Sequence, residues 1–167
     1  MRRRNLLIVA FVVLLVGVLG FKFLSKIRYV DPKPALALGD DYFSDLRQGQ
    51  VDDAFQKYTN GFLNKVGKEW RNVIAQLDGE GGTVTDFKLI GYHVVPVTLQ
   101  DQSEIPCLLV RYQITRKSVS SDENLIVCPY QRGAAWAIAG HEISRKDTGQ
   151  HFSAGITVTE KVIVGTN

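Results

Sequence analysis

The sequence predicts an α+β domain behind an N-terminal transmembrane helix, with three helices packed on a curved antiparallel sheet of about four strands. Three observations carry this expectation. An unbroken apolar run opens the chain, apolar residues then recur at the helical period as far as Leu77, and after a glycine-rich break at residues 78–82 the pattern changes to strand-like alternation. Helices first and strands afterwards is the order of an α+β domain, not of a parallel α/β sheet.

The apolar run comes first. Residues 6–21 carry no strongly polar side chain, and Lys22 is followed by Phe23 and Leu24. Leu6 to Leu24 makes roughly 28 Å of helix against about 30 Å of hydrocarbon, with Lys22 reaching for the headgroups. Residues 1–28 are therefore expected to form a signal-anchor helix crossing the membrane once. A cleaved signal peptide is the alternative, since Val18 and Gly20 are small enough for a peptidase site. The length of the run and the cations directly after it favour retention. Arg2, Arg3 and Arg4 at one end match Lys22, Lys26 and Arg28 at the other, so loop charge does not orient the segment. The short tail places the N-terminus in the cytoplasm and the C-terminal domain outside it, behind the cell (inner) membrane in a periplasmic or equivalent space. Gly17 and Gly20 would let a neighbouring helix approach, although their spacing is not the four-residue one. No cysteine lies near the end of the run, which excludes a lipoprotein anchor.

Residues 29–34 read as a stiff linker, because Pro32 and Pro34 fix φ and bias their predecessors away from helix. Residues 35–167 are the folded domain. Residues 35–48 form a helix with Leu38, Tyr42, Phe43 and Leu46 on one face, stopped by Gly49. Residues 51–58 form a short helix with Asp52 and Asp53 in its first turn. The third helix, 62–77, repeats Phe62, Val66, Trp70, Val73, Ile74 and Leu77. Strands are expected at 84–95, 105–117, 124–130 and 134–143, joined by a polar loop at 118–123 and a turn at 131–133; residues 155–164 offer one more.

That order, carried by ALALGDDYFSDLRQGQVDDAFQKYT, WRNVIAQLDGEGGTVTDFKLIGYHV and the Trp-centred strand RGAAWAIAGHEI, resembles the nuclear-transport-factor-2-like superfamily over roughly residues 35–145. The resemblance implies a cystatin-like α+β cone with a cavity between sheet and helices. It implies no activity, since the superfamily includes isomerases, dehydratases, ligand carriers and non-catalytic subunits.

With 45% hydrophobic and 22% charged residues the chain is globular in composition, and its 167 residues exclude two independent enzymatic domains. The six cations of residues 1–28 leave 14 of the chain's 20 against all 17 acids in the remainder, which is net −3. The basic balance thus belongs to the N-terminal segment, and no nucleic-acid partner is expected of the domain.

Chemistry-bearing residues are sparse. A hairpin turning through 118–123 sets Cys128 opposite Gln113 and roughly 20 Å from Cys107, so the two cysteines are expected to be separate thiols. His93, His141 and His151 are scattered; no metal and no cofactor is expected, and a metal, if held, would sit between His93 and His141. His141 and Glu142 point to opposite faces of their strand. Tyr42, Tyr58, Tyr92, His93 and Tyr112 are candidates to face a cavity, but no acid is expected to face inward; Asp86 is the sole acid inside the first strand. Phosphate-binding, dinucleotide and nucleophile-elbow motifs are absent, because Gly79-Glu80-Gly81-Gly82 follows a helix.

The expectation is a single-pass, membrane-anchored, non-catalytic interaction domain, an accessory, scaffold or assembly subunit of a membrane protein complex, whose partners are the lipid bilayer and other membrane proteins. A carrier of a small apolar or lipid-like ligand is the alternative, with Trp70, Phe87, Tyr112 and Trp136 lining the cavity. An isomerase- or hydrolase-type enzyme of the same fold, resting on Asp86, is the third.

Overall fold

The computed structural model describes residues 30–98, 104–130 and 135–157. The chain divides into two compact units, Met1–Asp31 and Pro32–Asn167, and every described helix and strand lies in the second.

The prolines do not delay the first helix. α1 spans Lys33–Arg47, since proline in a first turn lacks only an N–H that the helix does not use and brings a helical φ. Its buried stripe is Ala35, Tyr42, Phe43 and Leu46, with Gly39 among them. Glycine is required at that position, because a Cβ on Gly39 would lie 2.5 Å from the Tyr112 hydroxyl oxygen. The chain reverses at Gly49, whose φ of +74° is left-handed, into α2, Val51–Phe55. Thr59 caps α3, Asn60–Gly81, its Oγ1 accepting from the Phe62 amide at 3.1 Å. Phe62, Trp70, Ile74 and Leu77 form the buried face of α3, and the helix continues a full turn past its expected stop.

Five strands follow: β1 Val84–Thr98, β2 Glu104–Arg116, β3 Ser120–Tyr130, β4 Ala135–Arg145 and β5 His151–Gly155. They form one antiparallel sheet in sequence order. The expectation of about four strands is corrected to five. β5 starts at His151, earlier than the strand foreseen at 155–164, because Gly149 (φ +69°) allows a tight return after β4; residues 158–167 lie outside the described residues.

The transmembrane part of the predicted fold is corrected as well. No helix among the described residues is long and apolar enough to cross a membrane. The segment expected to do so, residues 1–28 with Gly17 and Gly20, lies outside the described residues. The membrane anchor, and the inner-membrane and periplasmic placement built on it, are therefore unsupported.

The largest correction in the sheet is its register. The β2–β3 turn is Lys117–Val119, closed by the Arg116 amide on the Val119 carbonyl at 2.8 Å, and not the longer loop 118–123. Leu108 consequently pairs with Val127, which places Cys107 opposite Cys128. The two form a disulfide with their Cα atoms 4.3 Å apart, so the expected separate thiols are a single cross-strand bridge.

Alternation then gives the sheet two different faces. Leu108, Val110, Tyr112 and Ile114 of β2, Leu125 and Val127 of β3 and Ile138 and Ile143 of β4 are buried on the helix side. On the opposite side Val95, Val97, Cys107, Leu109, Ile126, Cys128 and Ala139 form a second buried apolar cluster, joined by Ile105 and Ile156.

Candidate functional site

Polar residues lie at the centre of the helix side. Ser121 and Glu123 share phase with Leu125 and Val127 on β3, Arg116 with Tyr112 and Ile114 on β2, and His141 with Ile143 on β4. All four are buried, Ser121, Glu123 and His141 completely. Glu123 Oε1 accepts from Arg116 Nη1 at 2.9 Å and from Ser121 Oγ at 2.8 Å, while its Oε2 lies 3.0 Å from His141 Nε2. From above, Tyr58 places its hydroxyl 2.7 Å from His141 Nδ1 and 3.0 Å from the Tyr42 hydroxyl, and it accepts from Trp70 Nε1 at 2.9 Å.

Counting protons sets the directions in this network. Burial opposes the charge on Glu123, but the hydrogen bond from His141 and the Arg116 cation more than offset it and hold the carboxyl down to about 2, so both oxygens accept. His141 therefore donates from Nε2. If Nδ1 accepts, Tyr58 donates to it and Tyr42 donates to Tyr58, and every proton of the chain from Tyr42 to Glu123 has an acceptor. With the opposite polarity the Tyr42 proton has no acceptor among the described residues. Burial, the largest cause, pushes both tyrosine hydroxyls well above the ordinary phenol range, so they remain donors. Asp78 of α3 approaches Arg116 Nε at 3.5 Å; burial raises its carboxyl even against the pull of Arg116. Only Nε and Nη2 of Arg116 lack a hydrogen bond in this group.

A carboxylate, an imidazole and a phenol in series are able to relay a proton, but a reaction also needs room for a substrate. Among the described residues, aromatic rings pack against the network. Tyr42 meets Phe43, Tyr58 and His141 edge-on at 5.0–5.6 Å, Tyr58 stacks on Phe62 at 4.2 Å, and Trp70 lies 5.1 Å from His141. Two surface pockets are described. One, about 310 Å³, lies between the start of α3 and the β4–β5 edge, lined by residues such as Phe62, Val66 and Ile156; the other, about 440 Å³, includes Arg111, Asp122 and Lys146. Neither is lined by Trp70, Phe87 or Trp136, and Tyr112 lines only the second.

The expected site residues are thus dispersed. Trp70 belongs to the buried network. Phe87 lies under Arg47 and beside Phe43, Tyr112 gives its hydroxyl to Asp40 at 2.9 Å, and Trp136 is half-buried opposite Pro129 toward the far end of β4. His93 and His141 stand on opposite faces, three strands apart, and cannot share an ion. Among the described residues no group of three or more His, Cys, Asp or Glu is placed to hold a metal. Asp86 is exposed opposite Thr115, away from the helices. The inward acid is Glu123, read from the sequence as a loop residue; the signal missed was its phase with Leu125 and Val127.

The second distinctive feature is an exposed one. Large apolar side chains exposed among the described residues are Leu89 (37%), Ile90 (57%), Tyr92 (47%) and Val94 (50%), all within one stretch of β1. Register puts Leu89, Tyr92 and Val94 on the helix side, opposite Tyr112, Val110 and Leu108, with Ile90 in the bulge between Leu89 and Gly91. The ring contacts that tie α1 to β1 are made at Phe87, nearer the start of the strand. Among the described strands β1 also lies at an edge of the sheet, and it is 15 residues long.

No protein-family model, no curated protein and no solved structure matches the chain. The resemblance to the nuclear-transport-factor-2-like superfamily rests on the order of elements alone.

Proposed function

We propose that this domain is a non-catalytic interaction module, a subunit of a protein assembly, that engages its partner through the second half of β1. The observation that carries this is the gathering of the exposed large apolar side chains on one edge strand. An apolar patch kept exposed on a long sheet edge is an aggregation hazard unless something covers it, which is why such patches mark docking surfaces. The buried network supports the same conclusion from the other side. Glu123, His141 and Tyr58 are sealed under aromatic rings with their hydrogen bonds made inside the protein, the arrangement of a core that fixes one packing. The order of three helices and an antiparallel meander is in keeping with a nuclear-transport-factor-2-like domain, and a filled interior with its non-catalytic members.

The test is photo-cross-linking in the cells that make the protein. Benzoylphenylalanine in place of Tyr92 in the full chain is expected to give a discrete adduct, whereas the same group at Gln76, exposed on α3, gives none. No adduct at position 92, or the same adducts from both positions, overturns docking through β1.

A further inference from the structure

We propose, building on docking through β1, that the partner is a second copy of this chain, paired edge to edge and antiparallel so that Tyr92 of each copy lies opposite Val94 of the other.

Three features converge on this register. The first is which main-chain groups are free. The 4.3 Å Cα separation of Cys107 and Cys128 is that of a closely spaced, non-hydrogen-bonded antiparallel pair. Cys107 therefore turns its N–H and C=O away from β3, toward Val95 of β1, its partner in the ladder. Alternation along β1 directs His93 and Val95 to β2 and leaves the main-chain groups of Tyr92, Val94 and Pro96 on the open edge. Pro96 fits that phase, because a residue with no N–H to donate belongs on the outer side of an edge strand.

The second feature is symmetry. An antiparallel pair of identical strands has a two-fold axis, so a charge close to the axis meets its own like. Residues 89–95, LIGYHVV, contain no Lys, Arg, Asp or Glu. With Tyr92 opposite Val94, each such pair exchanges both of its main-chain hydrogen bonds, and His93 meets its twin on the axis. Centring the axis on Val94 would set Tyr92 against Pro96 and lose a donor. The third feature is side-chain fit: the register lays an aromatic ring on a β-branched side chain twice on the same exposed face, a favourable cross-strand pair. Lys88 and Pro96 bracket this window and prevent the pairing from spreading along the whole edge.

The exposed apolar area is on the order of 300–400 Å² per copy, less than half the roughly 800 Å² a partner contributes to a standard interface, so the dimer is weak and reversible. Sedimentation equilibrium of the full chain in a non-ionic detergent, from about 5 μM to about 500 μM, is expected to show the protein mass rising toward twice the monomer value. Tyr92→Lys/Val94→Lys should stay monomeric over that range with an unchanged melting curve, both side chains being exposed. His93→Cys, alone beside the intact native disulfide, should yield a covalent dimer under mild oxidation, because a non-hydrogen-bonded pair on the axis has disulfide geometry. A monomer at every concentration overturns the proposal, as does an unaltered dimer in the lysine variant, or a covalent dimer from Tyr92→Cys and none from His93→Cys. The photo-adduct at position 92 separates the two levels. An adduct with another protein, from a chain that stays monomeric, defeats self-pairing and leaves docking through β1 intact; an adduct with the mass of two chains supports both.

Discussion

Replacing Glu123 by Gln perturbs the interior at its most interconnected residue while hardly changing its volume. Glu123 serves Arg116 Nη1, Ser121 Oγ and His141 Nε2 within 2.8–3.0 Å. An amide offers one acceptor oxygen in place of two and turns an N–H₂ toward one of the donors. It also leaves Arg116, whose side chain is fully buried, with Asp78 at 3.5 Å as its sole anionic contact among the described residues. Breaking a buried pair by removing one partner costs about 3–5 kcal/mol, a large part of the 5–15 kcal/mol by which a domain of this size is stable. Urea unfolding at pH 7 followed by circular dichroism should show the midpoint falling by about 2 M, for a slope near 2 kcal/mol/M that the substitution leaves unchanged. Glu123→Leu combined with Arg116→Met removes both charges and should lose less than the Glu123→Leu and Arg116→Met single variants added together, by at least about 2 kcal/mol. A midpoint for Glu123→Gln within about 0.3 M of the parent would refute the assignment of this network as a structural determinant.

Acid should act on the same group. The Glu123 carboxyl is held down to about 2 from an ordinary 4.5, so its contribution, on the order of 3 kcal/mol, is present above pH 4.5 and is lost as the pH falls toward 2. Glu80, lowered by Gln76 and then Arg145, and Asp147, lowered by Arg145, act in the same direction, whereas Asp78, raised by burial, opposes them. Urea midpoints from pH 7 to pH 2 should fall steeply for the parent and more shallowly for Glu123→Gln; parallel curves would count against the shift. Cys107→Ala/Cys128→Ala opens a link across 21 residues and should cost about 3 kcal/mol by chain entropy, read as a lower melting temperature that a reducing agent reproduces in the parent and leaves unchanged in the variant. Gly140→Ala should destabilise by at least about 2 kcal/mol, because its Cβ would fall 1.9 Å from the Ile156 carbonyl oxygen. Gly79→Ala, in α3 with nothing within 4 Å, should instead stabilise by about 0.5–1 kcal/mol in the same melts.

The helices and the antiparallel meander were legible because apolar period is the direct imprint of burial: Tyr42, Phe43 and Leu46, or Trp70, Ile74 and Leu77, recur where a buried stripe requires them. What misled was polarity inside the fold. Ser118 to Glu123 reads as a loop by composition, yet Ser121 and Glu123 occupy core positions because Arg116, across the turn, and His141, on the next strand, supply their hydrogen bonds and balance the carboxylate. That substitution of partners for apolarity hid the start of β3, moved the turn, and with it concealed both the disulfide and the inward acid. The patch on β1 was invisible for the converse reason. Tyr92 and Val94 alternate like any buried strand, and only tertiary packing reveals that α1 makes its ring contacts on β1 at Phe87.

Occupancy of β1 is accessible to cysteine footprinting. Tyr92→Cys and Val94→Cys chains should react with a small maleimide at the rate of an exposed Gln76→Cys control when purified and dilute. In undiluted native extract they should react at least about tenfold more slowly than that control, a population shift of roughly 1.4 kcal/mol. Equal labelling of all three positions under both conditions would show the edge of β1 to be empty and would contradict its role as the interaction surface.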